Sequence, residues 1–178
     1  MRKILFLGLL ISCANIAYSQ AFDGTGDNKT AIGANFQKGG IGLNFAFDRG
    51  LNDYLSYGFS FGFLLKSETA TRTFDNTVSE VDNSEVFLEK IDANARLNGH
   101  FGELIGMSEM MDLYGGLNIG FRNLGAQVGV RYLISEGFGF YLEAGLPVSE
   151  YELLNTDETN YFNYYNQPVL NIGIVISN

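Results

Sequence analysis

From position 30 onward the chain alternates apolar residues with polar or very small ones, at a period of two, in segments separated by polar or glycine-rich turns. A helix repeats every 3.6 residues, so this pattern selects β-strands that each carry one apolar face and one polar face. Positions 55–65 show it most clearly: Leu55, Tyr57, Phe59, Phe61, Phe63 and Leu65 alternate with Ser56, Gly58, Ser60, Gly62 and Leu64. A segment of that length, rising about 3.3 Å per residue and tilted by about 40°, covers roughly 25 Å, the height of the apolar band on an outer-membrane barrel.

Eight such segments are predicted, at 30–36, 41–47, 55–65, 87–101, 113–121, 126–134, 138–148 and 170–176. Across all eight, Glu89 is the only charge on the apolar face. It sits near a strand end, where a misplaced charge costs about 0–1 kcal/mol, against about 2–4 kcal/mol for a basic residue at the bilayer midplane. The opposite face carries glycines, amides and the charges Lys90, Asp92, Arg96, Arg131 and Glu143.

Alternation alone does not say which face is inside. A soluble barrel or sandwich would turn the apolar face inward and cover its exterior with long charged side chains. Here the polar face is rich in glycine, as a narrow lumen requires, and the apolar face is dominated by bulky Phe and Leu. The pattern therefore predicts an all-β, eight-stranded antiparallel up-and-down transmembrane barrel, with the apolar face toward lipid.

The N-terminus agrees with export. Arg2 and Lys3 precede the apolar run 4–11, and small residues surround positions 17–19, which reads as a signal peptide over 1–19 and a barrel domain over 20–178. The apolar run is shorter than the roughly 20 residues a spanning helix needs. A rival reading takes Leu10-Ile11-Ser12-Cys13 as a lipoprotein box, but the residues after Cys13 stay largely apolar up to Ala17 instead of entering a polar tether. Cys13 is the only cysteine, so the processed chain would have neither a disulfide framework nor a thiol nucleophile. With 20 Asp and Glu against 11 Lys and Arg, the chain lacks the positive surface that nucleic acid requires.

The connections at 66–86 and 149–169 are long and both odd-numbered, so an up-and-down barrel puts them on one rim, expected to face the exterior. Their acids lack the regular spacing of a calcium loop. Tyr151, Tyr161, Tyr164 and Tyr165 in the second loop are candidates for contact with an extracellular protein or glycan, with an interfacial aromatic girdle as the plainer reading. Lipid is the other expected partner.

Inside, Lys90, Asp92, Arg96, Arg131 and Glu143 are expected to form a salt-bridged plug, with Arg96 and Arg131 joined to Asp92 and Glu143, because buried charge is tolerated only when paired. An eight-stranded barrel leaves room for side chains and no conducting pore. His100, the only histidine, could be imagined as the base of a lipid hydrolase, but no serine-centred motif accompanies it. It is read as a lumen hydrogen-bonding residue near the periplasmic rim. One His and, after processing, no cysteine give no basis for a zinc site or other cofactor. The expectation is a non-enzymatic barrel in the outer membrane. The alternatives are a lipid-modifying enzyme and a soluble secreted ligand-binding barrel.

The signal, the eight segments and the loop asymmetry resemble the small outer-membrane barrels of Gram-negative bacteria, of the OmpX and OmpA membrane-domain type. More narrowly, Gly33-Ala34-Asn35-Phe36-Gln37, Gly129-Val130-Arg131-Tyr132, Ser135-Glu136-Gly137-Phe138-Gly139 and the stretch 164–173 resemble an uncharacterised family of such barrels from the Bacteroidetes. The resemblance implies the fold and no site residues. The chain departs from the class at its end, Ile176-Ser177-Asn178, where an aromatic residue is usual.

Overall fold

The computed structural model describes residues 21–67, 71–74, 77–80, 90–135, 137–150 and 165–178. Among them, ten strands follow in chain order: β1 (Asn28–Gln37), β2 (Gly40–Asn52), β3 (Leu55–Ser67), β4 (Thr71–Phe74), β5 (Thr77–Glu80), β6 (Ile91–His100), β7 (Met111–Gly120), β8 (Asn123–Ser135), β9 (Phe138–Glu150) and β10 (Val169–Ser177). Eight of these close into one antiparallel barrel in the order β1-β10-β9-β8-β7-β6-β3-β2. Each barrel strand pairs with its sequence neighbour on the barrel, and the seam is sealed by β1 against β10, from Lys29↔Ser177 to Gln37↔Val169. Closure removes the unpaired edge that an open sheet would expose. This is the all-β up-and-down architecture that the alternation predicts.

β4 and β5 form a separate hairpin within the long β3–β6 connection, where the sequence shows only a polar loop. That connection and the one from β9 to β10 leave the barrel at the rim opposite the start of β1 and the end of β10, hereafter the loop rim. The start of β1 and the end of β10 define the terminal rim. The β1–β2 turn is made by Lys38 and Gly39, and Gly39 takes a φ of +74° that a side chain would oppose.

Orientation follows the alternation throughout. Leu43 and Phe59, on the outer face, are each 51% exposed, whereas Arg131 and Asn98, in the lumen, are 1% and 0% exposed. The barrel is thus reversed relative to a soluble one, with aliphatic and aromatic side chains outside and amides and charges inside. Inward glycines make room for lumen rings. A Cβ at Gly129 would overlap the Tyr114 ring, and one at Gly62 would lie 2.8 Å from the Tyr165 ring.

Several strands run a few residues beyond their predicted ends, and two of these extensions add lumen charges. β2 runs on through Asp48 to Asn52, whereas the Asp-Arg-Gly sequence reads locally as a turn. The inward series Gly42, Asn44, Ala46 simply continues in phase to Asp48, whose charge is compensated by arginines from β6 and β8. β7 likewise begins at Met111, so Asp112 is a strand residue facing the lumen and not part of a rim connection. The part of the fourth predicted segment that contains Glu89 lies outside the described residues.

Candidate functional site

The chemistry of this chain is concentrated in the lumen, in three layers. The middle layer is ionic. Arg96 on β6 places Nε 3.1 Å from Asp48 Oδ1 and Nη2 2.5 Å from Glu143 Oε2. Arg131 on β8 bonds through Nη2 to Asp48 Oδ2 and places Nη1 3.5 Å from Asp112 Oδ2. Asp48 therefore bridges two guanidinium groups from two other strands. Further donors complete the carboxylates: Asn98 Nδ2 to Asp48 Oδ1 at 3.1 Å, the Tyr114 hydroxyl to Glu143 Oε2 at 2.9 Å and Asn171 Nδ2 to Glu143 Oε1 at 3.2 Å. The Tyr114 ring lies beneath Arg131, 4.2 Å from the guanidinium carbon, so that this cation also has an aromatic face.

Toward the terminal rim, His100 stands between two polar groups. Its Nδ1 is 2.9 Å from Asp112 Oδ2, and its Nε2 is 2.8 Å from Ser56 Oγ. A carboxylate only accepts, so in the neutral imidazole Nδ1 carries the hydrogen and Nε2 accepts from the Ser56 hydroxyl. The Phe22 ring stacks on the imidazole with centroids 3.5 Å apart and an interplanar angle of 2°. Phe22 belongs to a strap, residues 21–27, that enters the barrel mouth ahead of β1. Ala21 donates its N–H to the Glu109 carbonyl at 2.7 Å and packs with Leu133 and Val175. Lys29 pairs with Asp27 at 2.9 Å and bonds to Ser177, tying the start of β1 to the end of β10.

The layer near the loop rim is made of amides. Asn35 donates to Asn171 at 2.7 Å, Gln37 donates to Asn35 at 3.0 Å, and Asn118 donates to Gln127, which in turn donates to Asn98 at 2.7 Å. Tyr165, with a φ of +65°, closes this end. Its N–H donates to Gln37 Oε1 at 2.8 Å, its carbonyl accepts from Asn123 Nδ2 at 2.9 Å, and burial pushes its phenol up from the ordinary value.

Two cavities flank the ionic layer. One of about 60 Å³ lies among Asn44, Asn94, Asn118, Gln127 and Tyr165, room for a few waters at about 10–15 Å³ each. The other, about 260 Å³, lies at the terminal rim between Phe22, His100, Glu103, Met107 and Glu109. Asp48, Tyr114 and Arg131 lie between them and line neither.

Of the five lumen charges expected to pair, the structure brings Arg96 to Glu143 but gives Arg131 to Asp48 and Asp112. Asp92 is instead near the loop rim, where one oxygen accepts from Asn94 Nδ2 at 2.5 Å and the other has no hydrogen-bond partner among the described residues. Lys90 precedes β6, is only half-buried and forms no ion pair among the described residues; its carbonyl accepts from the Tyr165 hydroxyl at 3.4 Å. Both residues sit on the β6 side of the loop rim, remote in register from Asp48 and Arg131. Tyr165, expected as a surface contact, is buried in the lumen mouth because Gly62 leaves space for its ring. Tyr151, Tyr161 and Tyr164 lie outside the described residues. Sequence reasoning missed Asp48, Asp112, Ser56 and Tyr114 as partners. Strand parity finds all four once β2 and β7 are extended in phase.

Among the described residues, no group of three or more His, Cys, Asp or Glu is placed to hold a metal ion. No curated protein matches the chain. Among solved structures, a barrel described as "De novo design of transmembrane beta-barrels" is similar, with a TM-score of 0.57 at 10% identity over 88% of this chain and 99% of that one. That likeness establishes the fold alone. The solution NMR structure of Outer Membrane Protein G from Pseudomonas aeruginosa covers 88% of this chain and 99% of its own at 11% identity, with a TM-score of 0.44 that is too low to carry an argument. A family model spans residues 12–177, and the chain accordingly belongs to the Family of unknown function (DUF6646).

Proposed function

We propose that the chain is an exported, non-enzymatic integral barrel of the outer membrane, with a side-chain-filled lumen that does not conduct and a structural or surface-contact role. The observation that carries this reading is the reversal of polarity: an outer wall of exposed Leu, Ile and Phe around a lumen of buried Arg, Asp and Asn. In water such a wall would drive aggregation, whereas hydrocarbon satisfies it. The ionic layer between the two cavities supports a closed lumen. The signal-like residues 1–19 support export, and the shared loop rim supports contact with an extracellular protein or glycan through 66–86 and 149–169. Electrophoresis of the detergent-extracted protein with and without boiling tests the reading. A closed barrel migrates anomalously until heated and fractionates with the outer membrane; a soluble protein in the periplasm or medium would refute it. Conductance in planar bilayers should stay at baseline.

One specific observation favours a second reading, a lipid-modifying enzyme. Ser56, His100 and Asp112 stand in the order and at the spacing of nucleophile, base and orienting acid. Against it, Ser56 is fully buried, Phe22 seals one imidazole face, and Asp112 is shared with Arg131. A fluorophosphonate probe decides between the two: labelling of Ser56 that disappears in His100→Ala would promote the enzyme, and an unlabelled Ser56 in folded wild type and in Phe22→Ala supports the structural role.

A further inference from the structure

The β6–β7 connection at the terminal rim carries apolar side chains that the barrel does not bury. Its 3₁₀ turn, Glu103–Ile105, contains no buried residue, and Leu104 and Ile105 are 63% and 62% exposed. Three backbone bonds hold the turn: Ile105 N–H to the Phe101 carbonyl at 3.2 Å, Gly106 N–H to Glu103 at 3.0 Å and Met107 N–H to Gly102 at 2.9 Å. Gly106, with a φ of +72°, ends it. The exposed apolar residues are thus presented on a folded turn.

The turn is two-sided. Glu103, Met107, Ser108 and Glu109 line the cavity at the barrel mouth, and Leu104 and Ile105 do not. Phe101, which leads into the turn, lies on the outer wall. A Cβ on Gly99 would be 3.1 Å from its ring and one on Gly115 would be 3.6 Å away, and both glycines belong to the outward-facing series of β6 and β7. Exposed Tyr54, Tyr57 and Tyr132 mark the same end of the outer wall, with Tyr54 bonded through its carbonyl to His100 N–H at 2.8 Å. Tyrosines of this kind settle at the boundary between hydrocarbon and headgroups. Exposed apolar side chains therefore lead from the wall through Phe101 into the turn that carries Leu104 and Ile105, whose backbone is bonded to Phe101.

We propose that this turn is an interfacial foot: Leu104 and Ile105 insert among the headgroups and upper acyl chains of the phospholipid leaflet at the terminal rim, while Glu103 and Glu109 remain in water over the barrel mouth. A short amphipathic element lying in the interface plane binds through its apolar face in this way. The proposal rests on the membrane reading, and its test separates the two.

The chain has no tryptophan, so one introduced indole reports alone. Leu104→Trp, Ser108→Trp and Phe59→Trp are each folded into phosphatidylcholine vesicles with ordinary or brominated acyl chains. Phe59→Trp, on the wall, should be quenched and Ser108→Trp, on the cavity side, should not. Leu104→Trp should show blue-shifted emission that falls to about half in brominated lipid. If Phe59→Trp is quenched while Leu104→Trp emits as in water, the foot is refuted and the barrel stands. If Leu104→Trp is blue-shifted but insensitive to bromine, and Ile105→Cys cross-links to a second copy, the surface is a protein contact and the proposal fails. If Phe59→Trp is not quenched, the membrane reading and the foot fall together.

Discussion

Replacing Arg131 by methionine keeps most of the side-chain volume and removes one of the two cations in the ionic layer. In the wild type Arg131 faces Asp48 and Asp112, and all three are buried. Breaking a buried pair by removing one partner costs about 3–5 kcal/mol, because a desolvated charge is left uncompensated. Here neither carboxylate is wholly orphaned: Asp48 keeps Arg96 at 3.1 Å and Asn98 at 3.1 Å, and Asp112 keeps His100 at 2.9 Å. The expected loss is therefore at the lower end, about 3 kcal/mol. Neutralising the acid left in excess should restore part of it, so Arg131→Met with Asp48→Asn should be more stable than the sum of the single changes predicts, with a coupling of about 1–3 kcal/mol. Urea unfolding in lipid vesicles, followed by tyrosine fluorescence and by the heat-sensitive gel shift, measures both quantities. A single variant within about 0.5 kcal/mol of wild type, or strict additivity, would mean that water screens the layer and that the lumen is open.

Other parts of the barrel carry their own expectations. Phe61→Arg, on the outer wall near mid-strand, should cost about 2–4 kcal/mol beyond the lost ring if hydrocarbon faces it; stability within about 0.5 kcal/mol of wild type in the same vesicle assay would point to water instead. Gly129→Val should force the Tyr114 ring off the barrel wall and cost about 1–3 kcal/mol or prevent folding, read as lost gel shift, whereas Val128→Ile at the adjacent outward-facing position should be neutral. Burial raises the Tyr165 phenol above its ordinary 10.0, so the folded state holds that proton more tightly than the unfolded chain. The contribution of Tyr165 is then complete below pH 10 and declines as pH rises above it; ultraviolet titration of Tyr165→Phe should show one late-ionising phenol fewer than the wild type.

Much of the architecture is legible in the order of residues because a strand exposes its two faces at a fixed period. Segments 55–65 and 138–148 need no partner to declare themselves, and every inward position assigned in them faces the lumen. Boundaries are less legible. Asp48, followed by Arg49 and Gly50, looks like a turn residue to any local reading, and Asp112 lies at the edge of a polar connection where an acid normally seeks water. The burial of Tyr165 likewise depends on contacts with chain that is distant in sequence, Gln37 on β1 and Asn123 on β8. Parity alone turns His100 toward the lumen near the terminal rim, yet its neighbours Ser56 and Asp112 come from two other strands, and nothing along β6 announces them.

The number of barrel strands, the apolar face and the shared side of the long loops are written in the linear chain, because each depends on periodicity or on parity alone. Which acid meets which arginine is decided by barrel closure. A register slip of two residues keeps every side chain on its face but moves it by about 6–7 Å along the barrel, far enough to part an arginine from its acid, so no pattern along a single strand could have specified the pairing.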